Sequence, residues 1–311
     1  MLAIVCPGQG SQTPGFLAPW LELPEFRSRL EALSEVAGLD LVAHGTTSDA
    51  DTIKDTAVAQ PLIVGAGLAA AAVVLPQGPD SVAVTAGHSV GEITAAALAG
   101  VLTDRDAMEF VRERGAAMAG ASAVTPTGMS AVLGGDPDEV AASLERHGLT
   151  PANANGAGQT VAAGTLEQLA ALAADPPAKA RVIPLKVAGA FHTHHMAPAV
   201  DSLRRLSADF DVSDPGISLL SNADGQAVTD GTDALSRLVG QVSSPVRWDQ
   251  CMQTMLDLGV TALVELPPAG TLVGLAKRAM PGVATLAVKT PDDLEAAHQL
   301  IAEHTTDAQK A

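Results

Sequence analysis

Apolar positions along the chain fall into two rhythms. Short, nearly unbroken runs of small and β-branched residues predict buried strands at Leu2–Cys6, Val82–Ala86, Met129–Leu133, Thr150–Asn155, Gln159–Ala163, Arg181–Val187, Ile217–Ser221 and Thr261–Leu266. Between them, apolar residues recur at helical spacing over Glu25–Ala37 (closed by Gly38), Ile93–Leu102, Asp104–Ala119, Asp136–His147, Leu166–Ala174, Pro198–Leu206, Ala234–Val242, Trp248–Leu258 and Gly270–Ala279. Pro61–Leu75 is apolar all round, which suits a buried helix opened by Gln60-Pro61. At 15 residues it is too short to span a bilayer. Strands alternating with helices predict an α/β fold, a parallel sheet with helices on both faces. From Gly128 the rhythm becomes βαββαβ, the order of a ferredoxin-like unit. The expected division is a large domain over 1–127 and 188–300, an inserted small domain over 128–187, and a polar tail over 301–311. A cleft between the domains is the natural ligand site.

One stretch organises the rest. The run Val82–Ala86 ends in Gly87-His88-Ser89-Val90-Gly91-Glu92, and an Ala-rich helix follows. Strand, sharp turn and helix lift a serine to the carboxyl end of a strand. Gly87 and Gly91 sit two residues to either side of Ser89, where a Cβ would crowd the neighbouring backbone. The unpaired N–H groups of a helix N-terminus lie beside the hydroxyl. This is the pattern of a nucleophile elbow, and it gives the large domain an α/β-hydrolase-like reading. An idle serine on a Gly-rich βα turn fits the same five residues. The flanking strand and helix favour the nucleophile.

Further along, three histidines fall within four positions, in Phe191-His192-Thr193-His194-His195. No Cys or acidic partner stands at a metal-ligand spacing, so no metal site is expected. One of the three is a candidate general base for Ser89, since serine then histidine is the chain order of an α/β-hydrolase. Surface histidines at a helix start remain the alternative for His194 and His195. In the helix after Asp104, Arg114 falls on the apolar stripe of Ala107, Val111 and Met118. A buried guanidinium is costly unless paired. It could clamp a substrate carboxylate, or make a structural salt bridge or snorkel. On the residues alone the structural reading is the stronger. Pro7-Gly8-Gln9-Gly10-Ser11-Gln12 is a Gly-rich loop but not a Walker loop, because no Gly-Lys-Ser/Thr follows.

Composition narrows the classes. Of 311 residues, 35 are acidic and 18 basic, a formal charge of −17, and aromatics make up 2% with no tyrosine. Such a chain is a poor partner for nucleic acid or an anionic membrane. Cys6 and Cys251 cannot form a disulfide framework or a Cys-rich metal site, and both lie in apolar patterns. The N-terminal run lacks a basic n-region, so a cytoplasmic protein is expected.

Six motifs occur in order: Pro7 to Gln12, Gly87 to Glu92, Arg112-Glu113-Arg114-Gly115, Asn155 to Gln159, Gly189-Ala190-Phe191-His192 and Pro245-Val246-Arg247-Trp248. Their spacing resembles that of the malonyl-CoA:acyl carrier protein transacylases, a family shared with polyketide synthase acyltransferase domains. The resemblance extends to about Lys289. It implies Ser89 as nucleophile and His192 as base, with the backbone carbonyl of Gln241 orienting the imidazole. The oxyanion hole would be the N–H groups of Gln9 and Val90. Most relatives carry Leu where Val90 stands, which a backbone donor tolerates. Arg114 matches the arginine that binds the malonyl carboxylate, Gln159 a pocket-lining glutamine, and Phe191 the position whose ring crowds an α-methyl group. Rejecting one methyl by shape is worth only ~1–3 kcal/mol. The sequence departs from the family's Gly-Pro-Gly at Pro267-Pro268-Ala269.

The resemblance implies ping-pong transfer of malonyl from malonyl-CoA to the phosphopantetheine thiol of acyl carrier protein, for fatty-acid or polyketide synthesis, with no cofactor and as a monomer. Alternatives are a discrete polyketide acyltransferase using another extender unit, a serine hydrolase or thioesterase, and a degenerate module that only docks a carrier. Carrier proteins are acidic, as is this chain, so docking calls for a local basic patch. Candidates are Lys179, Arg181 and Lys186 on the small domain and Lys277 and Arg278 on the late helix; scattered solvated charges are the equal alternative.

Overall fold

The computed structural model describes residues 1–305. The chain opens with β1 (Leu2–Cys6), α1 (Pro24–Ala37), α2 (Leu41–Thr46), α3 (Thr56–Val74), β2 (Val84–Gly87), α4 (Gly91–Leu98) and α5 (Asp104–Ser122). It continues through β3 (Thr127–Gly134), α6 (Pro137–Arg146), β4 (Thr150–Gly156), β5 (Gln159–Thr165), α7 (Leu166–Ala174) and β6 (Ala180–Pro184). There follow α8 (Ala197–Ser207), β7 (Ser218–Leu220), β8 (Ala227–Val228), α9 (Gly231–Gln241), β9 (Val246–Arg247), α10 (Trp248–Asp257), β10 (Ala262–Glu265), α11 (Thr271–Ala279), β11 (Ala284–Ala287) and α12 (Leu294–His304).

Two sheets result. The larger has the order β11-β10-β1-β2-β7-β8, parallel except for β8 against β7. All five residues of β1 are buried, as a strand covered on both faces requires. Later strands lie on both sides of β1. The loops leaving the carboxyl ends of β1 and β2 therefore open into the crevice where an open α/β sheet holds its ligand. The second sheet has the order β6-β3-β5-β4-β9. Its first four strands are antiparallel neighbours in the order that βαββαβ predicts. The fifth, β9, pairs in parallel with β4 through Asn153↔Val246 and Ala154↔Arg247. It comes from outside the inserted segment, so the later chain returns to the small sheet and ties it to the large one.

Helix α3 explains how the large core is filled. It starts four residues before Gln60, because the Asp55 side chain accepts from Ala57 N and caps it. Pro61 is thus inside the helix instead of near its start. By length and composition the 19-residue helix could cross a membrane, but most of it is buried within the protein. Helices α1, α4 and α5 pack around it.

Other expectations also shift. β6 ends at Pro184, short of Val187, and Leu185 and Val187 instead wall the cleft. The short α2, β8, β9 and β11 have too few residues to carry a legible period. The expected tail begins later than 301, because α12 runs to His304 and buries Ile301 against the core. The rest of that segment, 306–311, lies outside the described residues.

Two glycines show how tightly the elbow is built. A Cβ on Gly87 would stand 2.0 Å from the Gly91 carbonyl carbon, and one on Gly91 would stand 2.2 Å from the Cys6 carbonyl oxygen. Both obstacles are backbone and cannot swing aside. Gly91→Ala is expected to cost more than about 3 kcal/mol in urea denaturation. Gly120→Ala, on the exposed face of α5 with open space at its Cβ, is expected to gain ~0.5–1 kcal/mol.

Candidate active site

The turn between β2 and α4 holds Ser89 at φ 52°, in the left-handed region that a β-carbon disfavours. Such a conformation costs ~1–3 kcal/mol and persists only where its surroundings impose it. Here Asn222, in the turn after β7, imposes it. Asn222 Oδ1 accepts from Ser89 N at 2.8 Å, and Asn222 Nδ2 donates to Gly87 O at 2.7 Å. One side chain thus clamps both sides of the turn. The N–H groups of Gln9 and Val90, the two expected oxyanion donors, find no protein acceptor among the described residues.

His192 also has a left-handed backbone, φ 61°, with its N–H donating to Val242 O at 3.0 Å. Its Nε2 lies 2.7 Å from Ser89 Oγ, and its Nδ1 lies 2.9 Å from the backbone carbonyl of Gln241. A carbonyl only accepts, so Nδ1 carries the proton and Nε2 faces the hydroxyl with its lone pair. Burial, and then the Arg114 cation, lower the pKa of this imidazole to about 3. It is therefore neutral at physiological pH, the form a general base needs.

Arg114 is fully buried on α5. Its Nη1 donates to Gln60 Oε1 at 2.7 Å, and its Nη2 donates to Gln241 Oε1 at 2.8 Å and to Ser89 Oγ at 3.3 Å. Its Nε is buried without a partner. The guanidinium makes no direct ion pair among the described residues, so the salt-bridge reading fails. Snorkelling fails too, because no part of the side chain reaches water. Burial pulls its pKa down to about 9, which leaves it charged at neutral pH. Gln60, Asn222 and Glu92 were not assigned roles on sequence grounds. For Gln60 a signal existed: it is a lone amide, 2% exposed, in an otherwise apolar helix.

Ser89 and His192 open onto a cavity of about 220 Å³ between the two sheets. Gln9, Gln159 and Phe191 line it as expected, together with Gln60, Met129, Asn155, Val161 and Leu275. Val90 is buried beneath it, and Arg114 lies just under the floor made by Gln60, Ser89 and His192. His88 joins the two walls. Its Nε2 lies 2.9 Å from Asn155 Oδ1 on β4, and its ring meets Trp248 edge-on with centroids 5.8 Å apart. His194 and His195 stack on each other at 4.1 Å away from the cavity lining. No group of three metal-ligating side chains occurs among the described residues. Lys179, Arg181, Lys186, Lys277 and Arg278 are all exposed and form no ion pairs among the described residues.

Residues 3–305 match the family described as acyl transferase domain. The chain is 54% identical over 299 residues to the malonyl CoA-acyl carrier protein transacylase of Mycobacterium bovis, covering 95% of this chain and 98% of the relative. Among solved structures, MCAT from Mycobacterium tuberculosis superposes with a TM-score of 0.92 at 53% identity, covering 96% of this chain and 99% of that one. A malonyl-transacylase solved in complex with its type II polyketide synthase acyl-carrier protein gives a TM-score of 0.89 at 29% identity, covering 96% and 99%.

The depressed imidazole has a consequence for stability. A folded pKa of about 3 against an ordinary 6.5 means that His192 contributes stability above pH 6.5, and that this is lost as pH falls toward 3. Glu92, raised by burial from 4.5 to about 7, acts oppositely, its contribution fading as pH rises through that window. Subtracting the Tm–pH curve of His192→Gln from that of the wild type isolates the histidine. The difference is expected to shrink steadily on acidification below pH 6.5; a constant difference would mean the imidazole titrates normally.

Proposed function

The chain belongs to the acyl transferase domain family, and from that premise we propose that it moves a malonyl group from malonyl-CoA to the phosphopantetheine thiol of an acyl carrier protein. The observation that carries the reading is the environment of one oxygen. Ser89 Oγ has a neutral imidazole nitrogen at 2.7 Å and the Nη2 of a buried arginine at 3.3 Å. The first suits a nucleophile and the second a substrate with a negative end.

In the first half-reaction Ser89 Oγ attacks the thioester carbonyl while His192 Nε2 takes the hydroxyl proton. The carbonyl oxygen becomes an oxyanion facing the free N–H groups of Gln9 and Val90, donors of the kind worth ~2.7–4 kcal/mol each. The carbon–sulfur bond breaks, the proton passes from His192 to the departing CoA sulfur, and a malonyl ester remains on Ser89. In the second, the carrier's thiol gives its proton to His192 and attacks the ester, and the serine leaves with that proton. The Gln241 carbonyl holds Nδ1–H throughout and keeps one tautomer available for both directions.

Arg114 selects the acyl group. A carboxylate is a stronger acceptor than an amide oxygen, so the free end of malonyl displaces Gln60 Oε1, the guanidinium partner that lines the cavity. The unpaired Nε–H is then a further donor. An acetyl group makes neither contact. Phe191, 6% exposed in the lining, narrows the space beside the α-carbon and favours malonyl over a branched extender unit.

The carrier brings an acidic surface. Leu185 and Leu275 line the cavity, with Lys186 next to the first and Lys277 and Arg278 just after the second. These cations flank the mouth by which a phosphopantetheine arm enters. Lys179 and Arg181 extend the positive strip along β6.

Incubation with malonyl-CoA is expected to leave a malonyl adduct on the Ser89 peptide by mass spectrometry. Ser89→Ala should abolish both adduct and transfer; retained transfer would reject the covalent route. Arg114→Ala should lower malonyl loading by at least 100-fold with acetyl loading little changed, about 2.7 kcal/mol for the charge-assisted contacts. Lys186→Glu with Lys277→Glu should raise KM for the carrier several-fold at constant KM for malonyl-CoA, and equal changes in both would remove the docking patch.

A further inference from the structure

Glu92 follows the nucleophile turn by three residues and is 4% exposed. It is absent from the lining of the main cavity and lies on the far side of Gln241 from Arg114. Its carboxylate nevertheless reaches every working group through one intermediary. Oε1 accepts from Asn222 N at 3.0 Å, and Asn222 holds the Ser89 turn. Oε2 accepts from Gln241 Nε2 in a short contact. That nitrogen also donates to Ser89 O at 3.0 Å, while Gln241 Oε1 accepts from Arg114 Nη2 at 2.8 Å.

The Gln241 amide therefore bridges a buried carboxyl group and a buried cation. Its direction is determined by both. With the nitrogen toward Glu92 and the oxygen toward Arg114, each end meets its complement. Turned over, oxygen would face the carboxyl oxygens and nitrogen would face guanidinium, two mismatches among buried groups. Burial raises the Glu92 carboxyl to about 7, and above that pH its charge is also the counter-charge that Arg114 otherwise lacks before a substrate carboxylate arrives.

We propose that Glu92 is a positioning residue for acyl-group selection: through the oriented Gln241 amide it holds the Arg114 guanidinium beside Ser89 Oγ, ready for the carboxylate of the incoming acyl group. This rests on the malonyl reading of the same site. Glu92 moves no proton and touches no reacting atom.

In Glu92→Gln the shape remains but the charge goes. An amide at 92 can accept from either Gln241 Nε2 or Asn222 N, and then sets its own NH₂ against the other donor. The Gln241 amide keeps its bond to Ser89 O but loses its charged anchor, so the acceptor that aims Arg114 is held less firmly. The effect should therefore fall mainly on the dicarboxylic donor, because the Asn222 side chain still holds the Ser89 turn through Ser89 N and Gly87 O. A small cavity of about 120 Å³ behind Glu92, bordered by Arg237 and Ser244, gives the loosened amide room to turn.

The test is single-turnover acylation of Ser89 with malonyl-CoA and with acetyl-CoA, in wild type, Glu92→Gln, Arg114→Ala and the double variant. Glu92→Gln is expected to lower malonyl loading at least tenfold and acetyl loading less than twofold. In the Arg114→Ala background the same substitution should add no further malonyl defect, because its effect passes through Arg114. If Glu92→Gln alone does not fold, the double variant should, since it removes both buried charges together, and its Tm should exceed that of Arg114→Ala, where Glu92 is left uncompensated. Equal loss of malonyl and acetyl loading, or additive defects in the double variant, would overturn the proposal. A wild-type enzyme with no preference for malonyl over acetyl would instead overturn the functional reading on which it stands.

Discussion

A cation buried beneath a serine is the constraint around which the site is arranged. Arg114 is wholly removed from water, and an unsolvated guanidinium is tolerable only with acceptors on its donors. The protein supplies neutral ones, the amide oxygens of Gln60 and Gln241 and the Ser89 hydroxyl, and keeps the nearest carboxylate one amide away. A direct Arg114–Glu92 pair would satisfy both charges and leave nothing to attract a ligand. Interposing Gln241 stabilises the cation while leaving its attraction for an external anion in place.

The same residues hold Ser89 and His192. Gln241 contributes its carbonyl to His192, its amide nitrogen to the Ser89 carbonyl and its amide oxygen to Arg114. Asn222 holds the turn from the other side. Two non-glycine residues, Ser89 and His192, are held in left-handed backbone, and each is pinned by hydrogen bonds from another element. Backbone strain, imidazole tautomer and guanidinium orientation are thus consequences of one buried network that depends on α9 and the turn after β7 lying against the elbow.

Depressing the imidazole and burying the guanidinium are linked. The cation beside His192 disfavours a second positive charge, adding to the effect of burial. The imidazole is thereby kept neutral at physiological pH. Charge that develops during acyl transfer must be met by fixed donors already in place.

Much of this was legible in the chain because it is local. Gly87 and Gly91 around Ser89 mark a tight turn, with the Gly87 obstacle in the adjacent turn itself and the Gly91 obstacle in the end of β1, and Pro7 to Gln12 marks the loop that approaches it. The βαββαβ rhythm dictates the strand order of the small sheet. The six-motif resemblance assigned Arg114 a carboxylate where periodicity alone favoured a salt bridge. What periodicity could not reveal were relations between distant segments: Asp55 beginning α3 ahead of Pro61, β9 crossing to the small sheet, and the meeting of Gln60, Glu92, Asn222 and Gln241 around one guanidinium. Hydrophobic pattern reports which face of an element is buried. It does not report which polar groups on different elements face each other once buried, and that pairing, decided only by the tertiary packing, is what places a buried guanidinium and a neutral imidazole on one serine oxygen.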